Sequence, residues 1–163
     1  ENNDYIIKNI KLDSEGSSFD LYKKDKLISN FFVPLYGHHM VMNTAASIIV
    51  ALRNGLTKEE VKKLLENFKN AARRFAIEQV KDTIIVDDYA HHPTEVKVTL
   101  QAIRQKYPDK KLTVVFRPNT YSRTSAFKNE FASALSEADK VYLTPINVIV
   151  REKKIIHLYH LKI

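Results

Sequence analysis

Apolar and polar positions divide the chain into a strand-rich opening, a helical stretch and an alternating tail. Within residues 1–35, Ser18-Phe19-Asp20-Leu21-Tyr22 alternates polar and apolar side chains, the period of a half-buried strand. Residues 13–17, which include Gly16, read as a turn between strands, and Asp25 falls in another. Residues 42–52 are rich in Ala and aliphatic side chains and suit a buried helix. Asn54-Gly55 closes it, with glycine placed for the left-handed conformation that ends helices. Thr57 caps a second helix, with Glu60 at the capping-box position. Val61, Leu64, Leu65 and Phe68 follow at i, i+3, i+4 and i+7, one face of that helix.

After Arg73-Arg74 the pattern changes. Thr83-Ile84-Ile85-Val86 is a short continuous apolar strand. Pro93 opens a helix with Val96, Leu100 and Ile103 on one face, and Pro108 marks its exit. Leu112-Thr113-Val114-Val115-Phe116 is a second buried strand. A helix over residues 122–138 carries Phe127, Phe131 and Leu135 at steps of four, and Val141-Tyr142-Leu143 is a third strand. Strand and helix alternating at this spacing predict an α/β fold with a parallel sheet and right-handed crossovers. The boundary between the two regions falls near residues 74–77. Three such strands do not complete an open sheet, so the second region is expected to be cut short. Residues 151–163 match no single pattern.

Composition narrows the function classes. The chain has 163 residues, 44% of them hydrophobic, enough for a core and for one or two small domains. It has no apolar run of the roughly 18 residues a membrane span needs and no secretory signal pattern. Cysteine is absent, which excludes disulfides and thiolate chemistry and is compatible with a cytoplasmic location. The net charge of +7 suits anionic small molecules such as nucleotides. The cations are scattered through amphipathic segments such as residues 58–69 rather than gathered in one stripe, so nucleic acid is not an expected partner. The glycines are Gly16, Gly37 and Gly55. Neither GxxxxGK[ST] nor GxGxxG occurs, so nucleotide chemistry would need a phosphate loop from elsewhere.

Candidate chemistry concentrates in two loops. In open α/β sheets ligands bind beyond the carboxyl ends of the strands. Asp87-Asp88-Tyr89-Ala90-His91-His92-Pro93-Thr94-Glu95 leaves one such end, and Arg117-Pro118-Asn119-Thr120-Tyr121-Ser122-Arg123-Thr124 leaves another. Helix capping by Thr94 or the residues before it, with Asp87 and Asp88 near a positive helix start, accounts for part of the first loop. It does not account for Tyr89 and two histidines. Adjacent histidines, as at His38-His39 and His91-His92, do not easily chelate one ion, and no HExxH spacing occurs, so no metal site is expected here. Arg73-Arg74 alone reads equally well as an exposed surface pair.

Taken together these segments resemble the Mur ligase family, in order from Gly37 to Leu143. Gly37-His38-His39-Met40-Val41-Met42-Asn43 looks like its Gly-x-His-Asn-x-x-Asn segment. Phe68 followed by Arg73-Arg74-Phe75 resembles its domain junction. The Asp87 to Glu95 loop reproduces its C-terminal signature, the most specific match of the set. Thr120-Tyr121-Ser122-Arg123-Thr124 favours the member that attaches L-alanine over the one that attaches a preformed tripeptide.

The resemblance implies an ATP-dependent amide ligase of three domains that joins L-alanine to UDP-N-acetylmuramate through an acyl phosphate. Residues 1–76 would be the last part of the central, ATP-binding domain. Residues 77–163 would be most of a Rossmann-like C-terminal domain. Mg2+ would be held mainly by parts of the enzyme outside this chain. By alignment with the family, Asn43 falls at the adenine, Arg74 at the nucleotide, and Asp88 at the ribose hydroxyls. Tyr89, His91 and Arg123 fall around the incoming amino acid, with His91 and Arg123 closest to catalysis. An arginine grips a carboxylate by charge-assisted, often bidentate bonds. Met40 replaces the first family asparagine, Asn119 stands where histidine is usual, and Arg117 where glutamine is expected. After Leu143 only Arg151-Glu152 matches. A non-catalytic nucleotide-binding α/β module is the other class that fits, and nothing in the sequence sets an oligomeric state. With no phosphate loop, the 163-residue chain by itself is expected to show no ligase activity. An ADP-release assay with UDP-N-acetylmuramate, L-alanine and ATP checks this, and sustained alanine-dependent turnover would refute it.

Overall fold

A computed structural model of the chain describes residues 4–146; Arg151-Glu152 and the tail around them lie outside the described residues. Two compact units are present. One holds the described residues up to Tyr89 together with Gln101–Asp109, and the other holds Ala90–Leu100 and the described residues from Lys110 onward.

The first unit opens with strands β1 (Tyr5–Leu12), β2 (Ser17–Lys23) and β3 (Lys26–Val33), paired antiparallel in that order. Phe19 faces Phe31 across β2 and β3, and Phe19, Leu21, Phe31 and Val33 are all fully buried. Alternation along β2 sends these side chains to one face, as the period of two requires. Helix α1 (His38–Arg53) lies on that face with Val41, Ala45 and Ile48, spaced at i, i+4 and i+7. Burying each large apolar side chain contributes roughly 1.5–3 kcal/mol. Helix α2 (Lys58–Glu66) adds Val61 to the same cluster. The predicted four-residue face of α2 is only partly used. The helix ends at Glu66, and Leu64 and Phe68 remain exposed.

The strand predicted at residues 83–86 is β5 (Thr83–Asp87). It is hydrogen-bonded antiparallel to β4 (Ala76–Val80), a strand the sequence did not announce. Every residue of β4 is exposed, so no buried face imposed a period on it. The hairpin closes through Lys81-Asp82, with Lys81 at φ 53°, rather than through a glycine-containing turn that would have marked it.

In the second unit, β6 (Thr113–Phe116) and β7 (Lys140–Leu143) pair in parallel, Thr113 with Lys140 through Phe116 with Leu143. This is the expected strand–helix–strand arrangement. Among the described residues the parallel pairing joins β6 and β7, while β5 has β4 as its partner. The helix predicted over residues 122–138 is two helices, α4 (Tyr121–Ala126) and α5 (Lys128–Leu135), broken at Phe127, whose backbone leaves helical geometry. Helix α3 (Pro93–Lys106) begins in this unit. Val96 and Leu100 of α3 are buried, as are Phe116, Phe131 and Leu135. The rings of Phe116 and Phe131 lie 5.3 Å apart, within the range of favourable aromatic pairs.

The start of α2 offers a direct test of local encoding. Glu60 N donates to Thr57 Oγ1 at 3.3 Å, and Thr57 N donates to Glu60 Oε2 at 2.8 Å, a complete capping box. The bonds from Thr57 hold the Glu60 carboxyl below its ordinary value of 4.5. A depressed carboxyl contributes stability that is present above 4.5 and lost as pH falls through the folded value. Thr57→Ala is expected to cost about 1 kcal/mol at neutral pH, with a smaller difference from the parent chain in acid. Denaturant unfolding of both at the two pH values measures it; a difference that does not shrink in acid would contradict the carboxylate's part.

Candidate active site

Helix α1 begins without help from a side chain. Gly37 precedes it at φ 92° and ψ 145°, no side chain caps it, and its first turn holds no acidic residue. Gly37 is buried. A Cβ there would sit 2.8 Å from the His39 ring, so both the backbone angle and the close approach call for glycine. His39 is half-buried, and its Nδ1 is a buried atom with no hydrogen-bond partner. Burial holds its pKa below the ordinary 6.5, against the pull of the Asp88 carboxylate and with help from His38. The ring is therefore neutral at pH 7. Asn43, one turn further, is exposed, and its backbone carbonyl accepts from Ser47 Oγ at 3.0 Å.

Around β4 and β5 the chain is irregular and tightly tied. Arg73 and Phe75 have φ of 57° and 50°, a conformation unfavourable for side chains with a Cβ. Two hydrogen bonds hold it. Phe75 N donates to Asp88 Oδ2 at 2.8 Å, and Tyr89 N donates to the Arg73 carbonyl at 3.1 Å. The guanidinium carbons of Arg73 and Arg74 lie 5.2 and 5.9 Å from the centre of the Tyr89 ring, within cation–π range. Arg73 Nε also lies 3.5 Å from Asp87 Oδ2, both exposed. The first unit thus brings together Arg74, Asp88 and Tyr89, and the effect of Asp88 on the His39 pKa ties the start of α1 to them.

His91 and Arg123 belong to the second unit. The Glu95 carboxylate caps the start of α3. Its Oε2 accepts from His91 N at 2.9 Å and from His92 N at 3.2 Å. Thr94 N donates to His92 Nδ1 at 3.3 Å. The caps are thus a carboxylate and an imidazole, and Thr94 takes part through its backbone. His92 also meets Phe127 edge-on at 4.9 Å. His91 Nδ1 lies 3.3 Å from Glu95 Oε2. Arg123 follows Thr120, whose φ is 67° and whose Oγ1 accepts from Arg123 N at 3.4 Å. Arg123 Nη1 is buried with no hydrogen-bond partner, as is Thr144 Oγ1 just beyond β7. An unpaired buried donor is costly, and more so on a charged group; an anion would relieve it.

Reading by motif assigned no role to His39 or Thr144. His39 was visible in a histidine pair and in the Gly-x-His-Asn-x-x-Asn segment, without a task of its own, and a lone threonine after a strand carries no pattern at all. The shallow depressions along α1 and α2, lined for example by Val50, Ala51 and Asn54, include none of the candidate residues.

These features sit in an α/β module whose sequence has clear relatives. Residues 72–157 match the Mur ligase, glutamate ligase domain, and the chain belongs to that family. Over 153 residues, 94% of this chain and 35% of the relative, it is 49% identical to UDP-N-acetylmuramate–L-alanine ligase of Lacticaseibacillus casei. Over 91% of this chain and 34% of the relative, it is 48% identical to the enzyme of that name from Ligilactobacillus salivarius. The solved UDP-N-acetylmuramate-alanine ligase of Thermotoga maritima matches 94% of this chain and 34% of its own, with a TM-score of 0.78 and 27% identity. The chain therefore spans about a third of the length of the curated relatives it matches.

Neutral His39 has a measurable consequence. Its folded pKa lies below 6.5, so the unfolded chain takes up the proton first on acidification. This contribution to stability is complete above 6.5 and declines as pH falls from there toward the folded value. The melting temperature of the parent chain is expected to fall more than that of His39→Gln between about pH 7.5 and 5.5. Equal losses would exclude the burial of a neutral imidazole.

Proposed function

We propose that this chain is part of an ATP-dependent ligase, the end of its central domain with most of its C-terminal domain, and that the ligase forms the amide bond between L-alanine and UDP-N-acetylmuramate, a step of peptidoglycan precursor synthesis in the cytoplasm. The carrying observation is the 49% identity along 94% of the chain to the Lacticaseibacillus casei enzyme of that name. In this reading residues 1–76 end the central ATP-binding domain and residues 77–163 belong to the C-terminal domain. The phosphate loop and the UDP-sugar site lie in the rest of the polypeptide. No helix among the described residues is long and apolar enough to cross a membrane.

Each candidate residue then has a task its chemistry suits. Asn43 is exposed on α1 and offers an amide, which donates and accepts at once, to the adenine edge. Arg74 supplies a cation to the nucleotide. Asp88, whose Oδ2 accepts from Phe75 N, is the acid for the ribose hydroxyls. Arg123 receives the carboxylate of L-alanine, which its unpartnered Nη1 favours, and Tyr89 adds a wall beside the amino acid. The alanine amine attacks the activated muramate carbonyl, the new C–N bond forms and phosphate leaves. His91, whose Nδ1 lies beside Glu95, accepts the amine proton. In this reading Mg2+ is held mainly by parts of the enzyme outside this chain.

Two substitutions in the complete ligase separate these tasks. Asp88→Asn keeps an oxygen for Phe75 N but removes the charge, and loss of a charge-assisted bond is worth roughly 1.5–3 kcal/mol. The KM for ATP is expected to rise about tenfold or more, with that for L-alanine nearly unchanged. Arg123→Lys keeps the charge and loses the planar fork. It is expected to raise the alanine KM while ATP KM and melting temperature stay close to the parent values. The opposite pairing of effects would overturn the assignment of both loops.

A further inference from the structure

Gln105 is a side chain that neither the motif nor the proposed chemistry uses, yet its amide is engaged at both ends. Its Oε1 accepts from Gly37 N at 2.7 Å, and its Nε2 donates to the carbonyls of Asp13 at 2.9 Å and Gly16 at 2.8 Å. The residues it joins are 68 to 92 positions away along the chain. Ala102 and Lys106 lie on the same face of α3, at i−3 and i+1 from Gln105. Ala102 is fully buried and is the next neighbour a Gly37 Cβ would meet, at 3.3 Å. Lys106 Nζ donates to the Tyr36 hydroxyl and lies 4.3 Å from the centre of its ring. One face of α3 therefore clasps the Tyr36-Gly37 step from which α1 departs.

The clasp matters because no side chain caps α1 at that end. Gly37 contributes no side chain and stands before a first turn that lacks both a capping side chain and an acid. His39 and Asn43 ride on the turns that follow. A short amide reading three backbone groups at once fixes position without adding charge beside the neutral His39 ring.

We infer that Gln105 is a positioning residue for the nucleotide end of the site, acting through Gly37 to set where α1 presents His39 and Asn43. This rests on the reading of α1 as the adenine-facing helix. The test uses the complete ligase. Gln105→Met keeps nearly the same volume and removes all three hydrogen bonds. The KM for ATP is expected to rise roughly two- to tenfold, as loss of a few neutral hydrogen bonds allows, with kcat and the alanine KM within about twofold of the parent. Exchange of the Gly37 amide with solvent is expected to speed up at least about tenfold. If the methionine variant melts too low to assay, Gln105→Asn, which keeps the amide but shortens its reach, carries the same comparison. An unchanged ATP KM, or equal increases in both KM values with a lowered melting temperature, would overturn the inference and leave Gln105 a brace for folding alone. Asn43→Ala in the same assay tells the two failures apart. If it raises the ATP KM while Gln105→Met does not, only the role of Gln105 falls. If it leaves the ATP KM unchanged, the adenine reading of α1 falls, and the inference with it.

Discussion

The sheet β1–β2–β3 has one face that must be kept from water, and the stripe Val41, Ala45 and Ile48 of α1 covers it. The line of α1 follows from that burial. The helix cannot roll without lifting Ile48 and Val41 from Phe19 and Phe31, since core side chains interlock at close to crystal density. Its axis is thus set by apolar contact along its length, and only its first turn is left to be set by polar groups. Gly37 is the point where the two kinds of constraint meet. A buried backbone amide has to find an acceptor, and the one it finds comes from a glutamine side chain on α3.

The loops that carry the candidate chemistry also have to satisfy their own backbone. Asp88 uses an oxygen on Phe75 N, and Glu95 uses one on His91 N and His92 N. Residues with unfavourable φ, such as Arg73, Phe75 and Thr120, lie beside these acids or beside Arg123. Strain of this kind costs on the order of 1–3 kcal/mol at each residue and persists only where the surroundings hold it. A carboxylate that accepts from the backbone of a neighbouring segment braces it. Such bracing also explains why a signature so dense in polar groups is not simply a helix cap.

Charge and burial work together at these positions. The protein carries an excess of seven positive charges, but those in the candidate loops of each unit are held in particular ways. Arg73 and Arg74 stack toward Tyr89, and Arg123 keeps a buried nitrogen without an acceptor. His39, by contrast, is kept neutral by burial.

The sequence by itself determined what neighbouring residues can decide among themselves. The alternation in β2, the stripe of α1, the capping box at Thr57 and Glu60, the opening of α3 at Pro93 and the apolar strands β6 and β7 all follow from interactions within a few residues. The family signature from Asp87 to Glu95 was legible for the same reason, being one continuous run. Tertiary structure alone decided the pairing of the exposed strand β4 with β5, the break between α4 and α5 at Phe127, the neutral and unpartnered His39 ring, and the reach of Gln105 to Gly37. No local period records these. A hydrogen bond between residues 68 positions apart, or the burial of a single nitrogen, depends on where the chain has travelled in between, and that path is set by the packing of the whole unit.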